Sequence, residues 1–461
     1  MKIAVTGASG FIGLNLIKEL SNTDHEIFAL SRSPIPNLPP NVNWRHCELF
    51  SAQSTLDSLI GIDIVYYLVH SMMPSSRLFQ GNFHDSDLLI ADNLSRSCQS
   101  NRVNHIIYLG GIIPEGFISQ HLQSRREVEG VLQSSGIPVT VLRSGMIVGS
   151  GGSSFEILKT LVKNLPAMIL PQWTTSKTQA IYINDIVAVL IESIRNSAFK
   201  NKVIDLVNGE KLNYRDLMVI MAKALKVKRL MIPVPLNSTG FSKLWVTWFG
   251  NSNYSLVSPL IDSLLCDLPQ PEMDPLIKNL IQYTSFERMI NEVLKHEEKS
   301  FRKMNQDVSR PKRKIKHRKS VRSIQRLPSL THQNSDWIAR EYMRWLPHIF
   351  RSLIRVDVEE TSSKVAFRFS FWKKPLLELQ YIAGNFDEDR QKFHIIGGFL
   401  SKTGDTGWLE FRQVQNKMYT LTAIHEFVPS LPWYIYILTQ APIHRLVMLS
   451  FGRHLKQFQK N

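Results

Sequence analysis

The sequence predicts an α/β protein: a doubly wound parallel sheet with a smaller substrate lobe, followed by an α+β domain in which an antiparallel sheet packs against a helix. Three observations lead to this prediction. Short apolar runs alternate with helical patterns through the first half, and a glycine-rich turn follows the first apolar run. The chain has 461 residues, which is too long for one ordinary hydrophobic core.

Strand-like and helix-like segments alternate in order along the first half. The predicted strands are Ile3–Val5, Glu26–Leu30, Val42–Glu48, Ile64–Val69, His105–Leu109 and Val139–Leu142. The predicted helices between them are Leu14–Leu20, Gln53–Leu59, Ser86–Gln99 and Gln123–Gln133. Over 151–297 the pattern is less regular, and helices are expected near Phe155–Leu165, Ile183–Arg195, Tyr214–Ala224 and Pro275–His296. This second stretch is predicted to form the substrate lobe, which covers the carboxyl ends of the strands.

A glycine-rich turn joins the first predicted strand to the first helix. Gly7 permits a tight turn, Gly10 lets the backbone approach a phosphate, and Gly13 allows the helix to pack closely on the strand. The free N–H groups of a helix N-terminus bind negative charge. This arrangement predicts a dinucleotide ligand.

The residue after the second predicted strand indicates which dinucleotide is preferred. Arg32 lies where an NAD-preferring domain would normally place an acidic residue. A guanidinium binds a 2′-phosphate, whereas a carboxylate would repel it. The sequence therefore favours NADP(H), with NAD(H) as the alternative if Arg32 is only a solvated loop residue.

Positive charge is concentrated in one segment. Twelve Lys and Arg residues between Lys299 and Arg326 accompany one acid, Asp307, and give +11 of the chain's net charge of +16. Few apolar residues are present there, so 298–335 is predicted to be an extended basic linker. One alternative is contact of 299–326 with an anionic membrane, where each basic residue adds about 1 kcal/mol. Nucleic acid is not expected as a partner, because no aromatic residues interleave with the charges.

The last segment, 336–461, has a different pattern. Its predicted strands are Arg355–Glu360, Ala366–Phe371, Leu377–Phe386, Lys392–Leu400, Gly407–Gln413 and Met418–Val428, and its predicted helix is Leu431–Lys456. Turns between the strands are short and polar, which is typical of an antiparallel meander. Pro442 and several basic residues interrupt the last helix, so a membrane span is not predicted.

The cysteines and the N-terminal residues indicate the cellular compartment in which the protein is expected. Cys47, Cys98 and Cys266 lack metal-ligand spacing and are predicted to be buried thiols in a reducing compartment. No apolar targeting segment precedes the first strand. A cytoplasmic protein is expected, with peripheral membrane association as the alternative. No metal site is predicted, because His425, His444 and His454 have no acids at ligand spacing.

Five motifs in order resemble the extended and atypical short-chain dehydrogenases/reductases, whose NmrA-like and epimerase-like branches bind NAD(P) on a Rossmann-type sheet. The motifs are Thr6–Gly13, Tyr66–His70, Tyr108–Gly111, Val141–Gly149 and Ala180–Asp185. The resemblance covers about residues 1–297. It implies pyrophosphate contacts from Gly7, Ser9, Gly10, Phe11, Ile12 and Gly13, a 2′-phosphate contact from Arg32, adenine contacts from Glu48 and Leu49, and nicotinamide-ribose contacts from Val69 and His70.

The last segment is similar in outline to START-like, helix-grip ligand binders. The similarity depends on Phe393–Phe399, Gly407–Phe411 and Leu431–Tyr436. It implies a sheet closed by one long helix around a ligand.

The catalytic residues of the reductase family are absent from the matching positions. The family uses a Tyr as general acid, a Lys that follows it on the same helix, and a Ser at the end of the preceding strand. No Tyr or Lys occurs from Leu109 to Leu158, and Gly110 or Gly111 holds the serine position. Tyr108 lies within a strand and does not replace the helical Tyr.

A substitute pair is present on the predicted helix. His121 and Arg125 lie on one helix face, where a histidine with a pKa near neutrality would shuttle a proton and Arg125 would hold the nicotinamide ribose. Asp87 falls near the position of the family's active-site Asn; the alternative is that it complements the helix dipole. Trp173, Trp245 and Trp248 are candidates for a substrate cleft, with core packing as the alternative.

Three functions are compatible with these observations. The first is an NADP(H)-dependent oxidoreductase or epimerase-like enzyme on a hydrophobic or bulky small-molecule substrate. The second is a non-catalytic NAD(P)H sensor or assembly factor, which the missing catalytic residues favour. The third is a lipid carrier that docks on a membrane through the basic linker.

Overall fold

The computed structural model describes residues 1–71, 76–235, 240, 243, 246–248, 254–281, 284–304, 318–351, 353–359, 363–382, 389–402 and 407–459. Its contacts divide the chain into two compact units. Unit 1 comprises residues 1–72 and 90–312, and unit 2 comprises residues 73–89 and 313–461.

The strands and helices of the described residues are numbered in chain order. The strands are β1 (Lys2–Thr6), β2 (Glu26–Ser31), β3 (Val42–His46), β4 (Ile64–Tyr67), β5 (Ser76–Gln80), β6 (His105–Gly111), β7 (Val139–Ser144), β8 (Met146–Val148), β9 (Ala167–Leu170), β10 (Lys177–Thr178), β11 (Ala180–Tyr182), β12 (Val203–Leu206), β13 (Leu212–Asn213), β14 (Leu230–Pro233), β15 (Arg318–Leu327), β16 (Ile354–Glu359), β17 (Lys364–Phe369), β18 (Pro375–Tyr381), β19 (Arg390–Gly397), β20 (Trp408–Val414) and β21 (Tyr419–Phe427). The helices are α1 (Phe11–Leu20), α2 (Ala52–Ser58), α3 (Phe83–Ser100), α4 (Gln120–Gln133), α5 (Ser153–Asn164), α6 (Ile183–Arg195), α7 (Tyr214–Ala224), α8 (Tyr254–Ser263), α9 (Phe286–Met304), α10 (Ser335–Ile349), α11 (Trp433–Leu438) and α12 (Gln440–Leu455).

Unit 1 is built on a seven-stranded sheet with the order β12-β7-β6-β4-β1-β2-β3. All six neighbouring pairs are parallel, which confirms the predicted doubly wound sheet. Its central strands are apolar on both faces, as in β4, where all four residues are buried. Helix α1 buries Leu16, Ile17 and Leu20 in the core of unit 1.

The remaining helices of unit 1 form the smaller lobe. Helices α6 and α7 have the predicted bounds, whereas α9 begins at Phe286 rather than near Pro275. Three two-stranded sheets also belong to this part of unit 1: β8 with β11, β9 with β14 and β10 with β13. Side chains of α5, α6, α7 and α9 belong to the same hydrophobic core as those of β1 and α1.

Unit 2 contains an eight-stranded sheet with the order β16-β17-β18-β19-β20-β21-β15-β5. The strands from β16 to β21 form the predicted antiparallel meander, β15 pairs antiparallel with β21, and β5 pairs parallel with β15. Helices α10 and α12 supply Tyr342 and Phe451 to the core on one face of the sheet, with Phe411 of β20. The rings of Tyr342 and Phe411 have centroids 5.5 Å apart, so side chains fill this part of the space between sheet and helices.

The structure differs from the predicted linker over 298–335. Residues 299–304 belong to α9, and Arg318–Leu327 form β15 between β21 and β5. Arg322 is buried, while Arg326 pairs with Asp85 at 2.9 Å and lies over the ring of Tyr419. The charge pattern predicted an extended solvated chain, but Arg322 is buried and Arg326 has an acidic and an aromatic partner inside unit 2. The part of the predicted linker from 305 to 317 lies outside the described residues.

Two further elements of unit 2 differ from the prediction. Segment 73–89, which the sequence assigned to the first domain, belongs to unit 2 and contributes β5. The predicted helix Leu431–Lys456 is two helices, because α11 ends before Thr439 and α12 begins after it. Helix α10 was not predicted. No helix within the described residues is long and apolar enough to cross a membrane.

A buried ionic cluster lies on strands β19, β20 and β21. Glu410 accepts hydrogen bonds from Arg390 at 2.9 Å and from Arg412 at 3.3 Å, and it contacts His425 at 3.2 Å. Burial opposes ionisation of Glu410, but the two arginines and His425 hold the pKa of its carboxyl well below the usual value. Burial lowers the pKa of His425 to about 4 despite its contact with Glu410. The cluster is therefore a carboxylate held by two guanidinium groups beside a neutral imidazole.

Candidate active site

The glycine-rich turn has the geometry that the sequence predicts. Gly7 has a φ of +70°, and the N–H of Gly10 donates to the Gly7 carbonyl at 2.9 Å, which closes the turn. A Cβ on Gly13 would overlap the Gly7 carbonyl oxygen and lie 2.9 Å from the Ala8 Cα. Gly10 is the N-cap of α1 and is exposed, and the Gly7 oxygen, at 3.1 Å, is the one atom that a Cβ there would meet. The backbone at Gly10 thus leaves room for a phosphate beside the helix N-terminus.

A cavity of about 390 Å³ opens in front of this turn. Seven of the residues assigned to the cofactor line it: Gly7, Gly10, Phe11, Ile12, Gly13, Val69 and His70. His121 and Arg125 of α4 line it as well, so the structure brings the candidate catalytic pair to the same cavity. We call it the nucleotide cavity.

Four other residues assigned to the cofactor are not among those that line the nucleotide cavity. Ser9 is exposed in the turn, and Arg32 is exposed directly after β2. Glu48 and Leu49 follow β3, where the Glu48 carboxylate accepts from the N–H of Phe50 and the Leu49 carbonyl accepts from Asn93. Their assignment to the 2′-phosphate and adenine stays a prediction.

Arg125 provides a positive charge at the wall of the nucleotide cavity. It is largely buried, and its guanidinium donates to the carbonyl of Val69 at 3.5 Å. This contact joins α4 to the segment after β4, which carries Val69 and His70. A cation held there is suited to an anionic or hydroxyl-rich part of a nucleotide.

His121 differs electrostatically from the expectation. It is the second residue of α4, whose N-cap Ser119 accepts a hydrogen bond from Leu122. Burial and the neighbouring charge of Arg125 lower the pKa of His121 to about 3. The expected pKa near neutrality is therefore wrong, because the same arginine that was to complete the pair disfavours the imidazolium. At neutral pH His121 offers an uncharged ring that donates or accepts a hydrogen bond.

Asp87 lies in the segment that belongs to unit 2. It is buried in the first part of α3 and is not among the residues that line the nucleotide cavity. Its proposed place beside the reacting centre stays a prediction.

A second cavity adjoins the nucleotide cavity. It has a volume of about 210 Å³, and we call it the apolar cavity. Most of its lining comes from aliphatic and aromatic side chains of α5, α7 and α8 and the turn at Trp173; they include Ile157, Leu158, Leu161, Trp173, Leu217, Met218, Val257, Ile261 and Leu264. The two cavities share Gly111, His121, Ser144, Gly145, Ser154 and Leu260. His121 and Ser144 therefore lie where the two cavities meet.

Two hydroxyl groups at the apolar cavity were not found by sequence reasoning. Ser144 is the last residue of β7 and lines both cavities. Tyr214 begins α7 and lines the apolar cavity, and burial raises the pKa of its phenol to about 12. Ser144 lies within the motif Val141–Gly149 but was not singled out there, and Tyr214 belongs to no contiguous motif. Trp173 does line the cavity, Trp248 is 75% exposed, and Trp245 lies outside the described residues.

The end of β6 shows how the site departs from the reductase pattern. Gly110 and Gly111 stand where the family places its serine, and both line the nucleotide cavity. A Cβ on Gly111 would lie 3.0 Å from a methyl of Leu122. Tyr108 is buried within β6 and its hydroxyl donates to the Arg125 carbonyl at 3.2 Å. Tyr108 thus supports α4 instead of facing the nucleotide cavity.

The N-terminal part of the chain matches a known family model. Residues 3–117 match the NAD dependent epimerase/dehydratase family. The match extends from β1 to the segment after β6.

One curated protein is similar to this chain over part of its length. A 2-alkyl-3-oxoalkanoate reductase from Stenotrophomonas maltophilia (strain K279a) is 27% identical over 109 residues, which are 23% of this chain and 32% of that protein. The chain thus matches about a third of the length of this curated relative.

Two solved structures share the fold. A nucleoside-diphosphate-sugar epimerase from Staphylococcus aureus has a TM-score of 0.51 and 19% identity, covering 63% of this chain and all of that one. The triphenylmethane reductase from Citrobacter sp. has a TM-score of 0.52 and 18% identity, covering 64% of this chain and all of that one. The same reductase in complex with NADP(H) has a TM-score of 0.50 and 18% identity over the same shares.

Proposed function

We propose that the chain is an NADP(H)-dependent oxidoreductase that reduces a carbonyl group on a hydrophobic small molecule. The observation that carries this proposal is the junction of the two cavities. The nucleotide cavity has glycine backbone and a guanidinium in its wall, while the apolar cavity is lined mostly by aliphatic and aromatic side chains. A cofactor in the first cavity and an apolar substrate in the second would meet at His121 and Ser144.

The apolar lining also favours one substrate class over another. A sugar nucleotide needs several polar partners for its hydroxyl groups, because burying them unpaired costs free energy. The apolar cavity offers few polar side chains, among them Ser144, Ser154 and Tyr214. An alkyl or aryl group suits this lining better than a sugar does. The name of the curated relative, a 2-alkyl-3-oxoalkanoate reductase, describes a carbonyl compound with alkyl groups and supports the same class.

The residues of the nucleotide cavity fit the cofactor. Gly10 leaves the helix N-terminus open, so Gly7 to Gly13 would hold the pyrophosphate and Arg125 would hold the part near the nicotinamide. Arg32 would bind the 2′-phosphate. The bound nicotinamide supplies the hydride.

The protein's part at the junction is to bind and polarise the substrate carbonyl. The uncharged ring of His121 and the hydroxyl of Ser144 would donate hydrogen bonds to the carbonyl oxygen, which stabilises negative charge as it develops there. The phenol of Tyr214 is protonated at neutral pH, since its pKa is about 12, and it borders the substrate side. Hydride addition to the carbonyl carbon leaves an alkoxide, which would take the proton of the Ser144 hydroxyl while Ser144 takes one from water. Catalysis then depends on orientation and hydrogen bonding and involves no imidazolium.

Calorimetric titration with NADPH and NADH tests the cofactor preference. The expected result is that NADPH binds more tightly than NADH and that Arg32→Ala abolishes this difference in affinity. Arg102→Ala is the matched control, because Arg102 is also an exposed loop arginine but follows α3 instead of β2. Equal binding of both nucleotides by the unmodified protein would contradict the assignment of Arg32.

Oxidation of NADPH, followed at 340 nm with 3-oxo acids of increasing alkyl length, tests the reaction. We expect kcat/KM to rise with chain length, and His121→Phe to lower kcat while NADPH affinity is kept. His121→Gln, which retains a hydrogen-bond donor, should recover part of kcat. Oxidation that His121→Phe leaves unchanged would remove His121 from the mechanism.

The second candidate is a non-catalytic NAD(P)H sensor, which the absence of the Tyr and Lys from 109–158 favours. It predicts NADPH binding without turnover of any carbonyl compound. In that case the cofactor would change the affinity of the chain for a binding partner. Gly10→Asp would abolish this change, while His121→Phe would leave it unaltered.

A further inference from the structure

Helix α12 carries apolar side chains on two opposite sides. Val447, Met448, Phe451 and Leu455 are buried in the core of unit 2. Ile443, Leu446 and Leu449 recur at a spacing of three residues and are exposed, Leu446 by 63%. Folding of unit 2 accounts for the first side but leaves the second unexplained, because a helix covered on one side alone is normally polar on the other.

The exposed apolar residues continue beyond α12. In the preceding helix α11, Tyr434, Ile437 and Leu438 are exposed, and Thr439 alone separates the two helices. Single exposed apolar residues are ordinary, but a continuous group of this kind marks an interaction surface.

An aromatic turn joins the same surface. Phe371 is 78% exposed after β17, and the rings of Trp372 and Phe399 have centroids 5.1 Å apart. Backbone hydrogen bonds from Phe399 to the Pro375 carbonyl at 2.9 Å, and from Ser430 to the Leu400 carbonyl at 3.1 Å, connect this turn to the entry of α11. The residues of this C-terminal apolar surface are Phe371, Trp372, Phe399, Tyr434, Ile437, Leu438, Ile443, Leu446 and Leu449.

The segments that carry the C-terminal apolar surface hold only positive formal charges. Segments 370–375, 398–402 and 428–459 contain no Asp or Glu. They contain six exposed Lys and Arg residues: Lys373, Lys374, Lys402, Arg445, Arg453 and Lys456. A second copy of the chain on this surface would bring like charges together, whereas an anionic partner would neutralise them.

We propose that the C-terminal apolar surface docks on the surface of an anionic lipid bilayer. Exposed Leu and Ile side chains beside Trp and Tyr rings, with a border of Lys and Arg, are the features by which a protein inserts shallowly among lipid headgroups. The apolar side chains enter the boundary of the acyl chains and the six cations contact the headgroup charge. This surface is distinct from the 299–326 segment for which the sequence indicated membrane contact, and the proposal does not depend on the proposed reductase activity.

Vesicle flotation with the full chain tests the proposal. We expect binding to vesicles that contain phosphatidylglycerol, much weaker binding to vesicles of phosphatidylcholine alone, and loss of binding as salt concentration rises. The double variant Leu446→Ser with Leu449→Ser should weaken binding to the anionic vesicles by at least about tenfold, because each side chain loses its transfer into the apolar layer. Arg445→Gln with Arg453→Gln should weaken binding to anionic vesicles and leave the small residual binding to neutral ones unchanged.

Matched controls come from unit 1. Leu230 and Ile60 are exposed by 62% and 60%, so Leu230→Ser with Ile60→Ser removes a comparable apolar area and should leave vesicle binding unchanged. Because all four residues are exposed, both double variants should keep the wild-type melting temperature. A third variant, in which Lys312, Arg313 and Lys314 are changed to Gln, tests the basic segment.

Three results would overturn the proposal. The first is absence of binding to phosphatidylglycerol vesicles. The second is equal binding to anionic vesicles by the Leu446/Leu449 variant and the Leu230/Ile60 control. This result includes the case in which only the Lys312/Arg313/Lys314 variant loses binding. The third is a dimer in sedimentation velocity that the Leu446/Leu449 variant dissociates while no lipid is bound.

Discussion

The two cavities of unit 1 are made from different parts of the chain. The nucleotide cavity is lined largely by the backbone of the glycine-rich turn, where Gly10 has no side chain to occupy the space beside the helix N-terminus. The apolar cavity takes its shape from side chains of several helices. A backbone wall cannot adapt to an added atom, whereas side chains of similar volume replace one another at little cost. We therefore expect the first cavity to be intolerant of change and the second to be adjustable.

The largest effect is expected from Gly10→Asp. The new carboxylate would lie at the N-terminus of α1, where the pyrophosphate is expected, and two unit charges about 4 Å apart repel by about 4 kcal/mol near a protein surface. NADPH binding should weaken by about three orders of magnitude in calorimetry. Gly116→Asp is the control, because a side chain there meets no neighbouring atom. An unchanged affinity in Gly10→Asp would show that the pyrophosphate lies elsewhere.

Gly13→Ala should separate folding from binding within the same turn. A Cβ at this position overlaps the Gly7 carbonyl, so α1 must shift away from β1. We expect the free energy of unfolding to fall by about 1–3 kcal/mol, as for other overpacked positions. Chemical denaturation measures this, and Gly10→Ala, whose Cβ would meet only the Gly7 oxygen at 3.1 Å, should be closer to wild type. Equal stability of the two variants would mean that the turn is not rigid.

Ile157 tests the apolar cavity, because it lines that cavity and is only partly buried. Ile157→Asn should raise the KM for a long-chain 3-oxo acid by about tenfold or more, since an apolar contact is replaced by an unpaired amide. The affinity for NADPH should not change. Ile157→Leu, which keeps the volume, should leave KM within about twofold. A drop in NADPH affinity in Ile157→Asn would mean that the two cavities are not functionally separate.

The smallest effect at neutral pH concerns the histidine at the junction, because its contribution to stability changes only on acidification. The pKa of His121 is about 3 in the folded chain, against an ordinary value of 6.5, so the unfolded chain binds more protons between these two pH values. The free energy of unfolding should thus rise with pH from about 3 to 6.5, with a contribution from His121 of at most about 1.4 kcal/mol per pH unit, and it should be level above. His121→Gln should flatten this slope in urea denaturation at several pH values. A slope that is identical in the variant would contradict burial of His121 as a neutral ring.

The contrast between the cavities also explains how much could be read from the sequence. Gly7, Gly10 and Gly13 form one contiguous motif with a local physical meaning, so the turn and the sheet around it were predicted. Ser144 and Tyr214 reach the apolar cavity from β7 and α7, and only the packed lobe brings them together. The predicted pKa of His121 was wrong, because helix spacing shows that Arg125 is near but does not show that the imidazole ring is buried.

In unit 2, strands that pair with a neighbour in sequence were predicted, and strands that pair with a distant segment were not. Strands β16 to β21 are neighbours in sequence and pair in order, so their meander was predicted. Strand β15 was not predicted because it is rich in basic residues, and the partners of its Arg326, Asp85 and Tyr419, lie far away in the chain. Strand β5 was not predicted for the same reason: its partner β15 begins at Arg318, more than 200 residues later in the chain.

The pairing of β5 with β15 has a consequence for how the chain is made. A ribosome adds about 5–20 residues per second. Strand β5 therefore leaves the ribosome about 10–50 s before the strand on which it must lie, and β6, β7 and β12 of the unit 1 sheet are made in between. An unpaired strand edge is prone to pair with the wrong chain. During this interval nascent chains on neighbouring ribosomes are the first alternative partners of β5, and a chaperone that shields 73–89 should raise the yield of soluble protein.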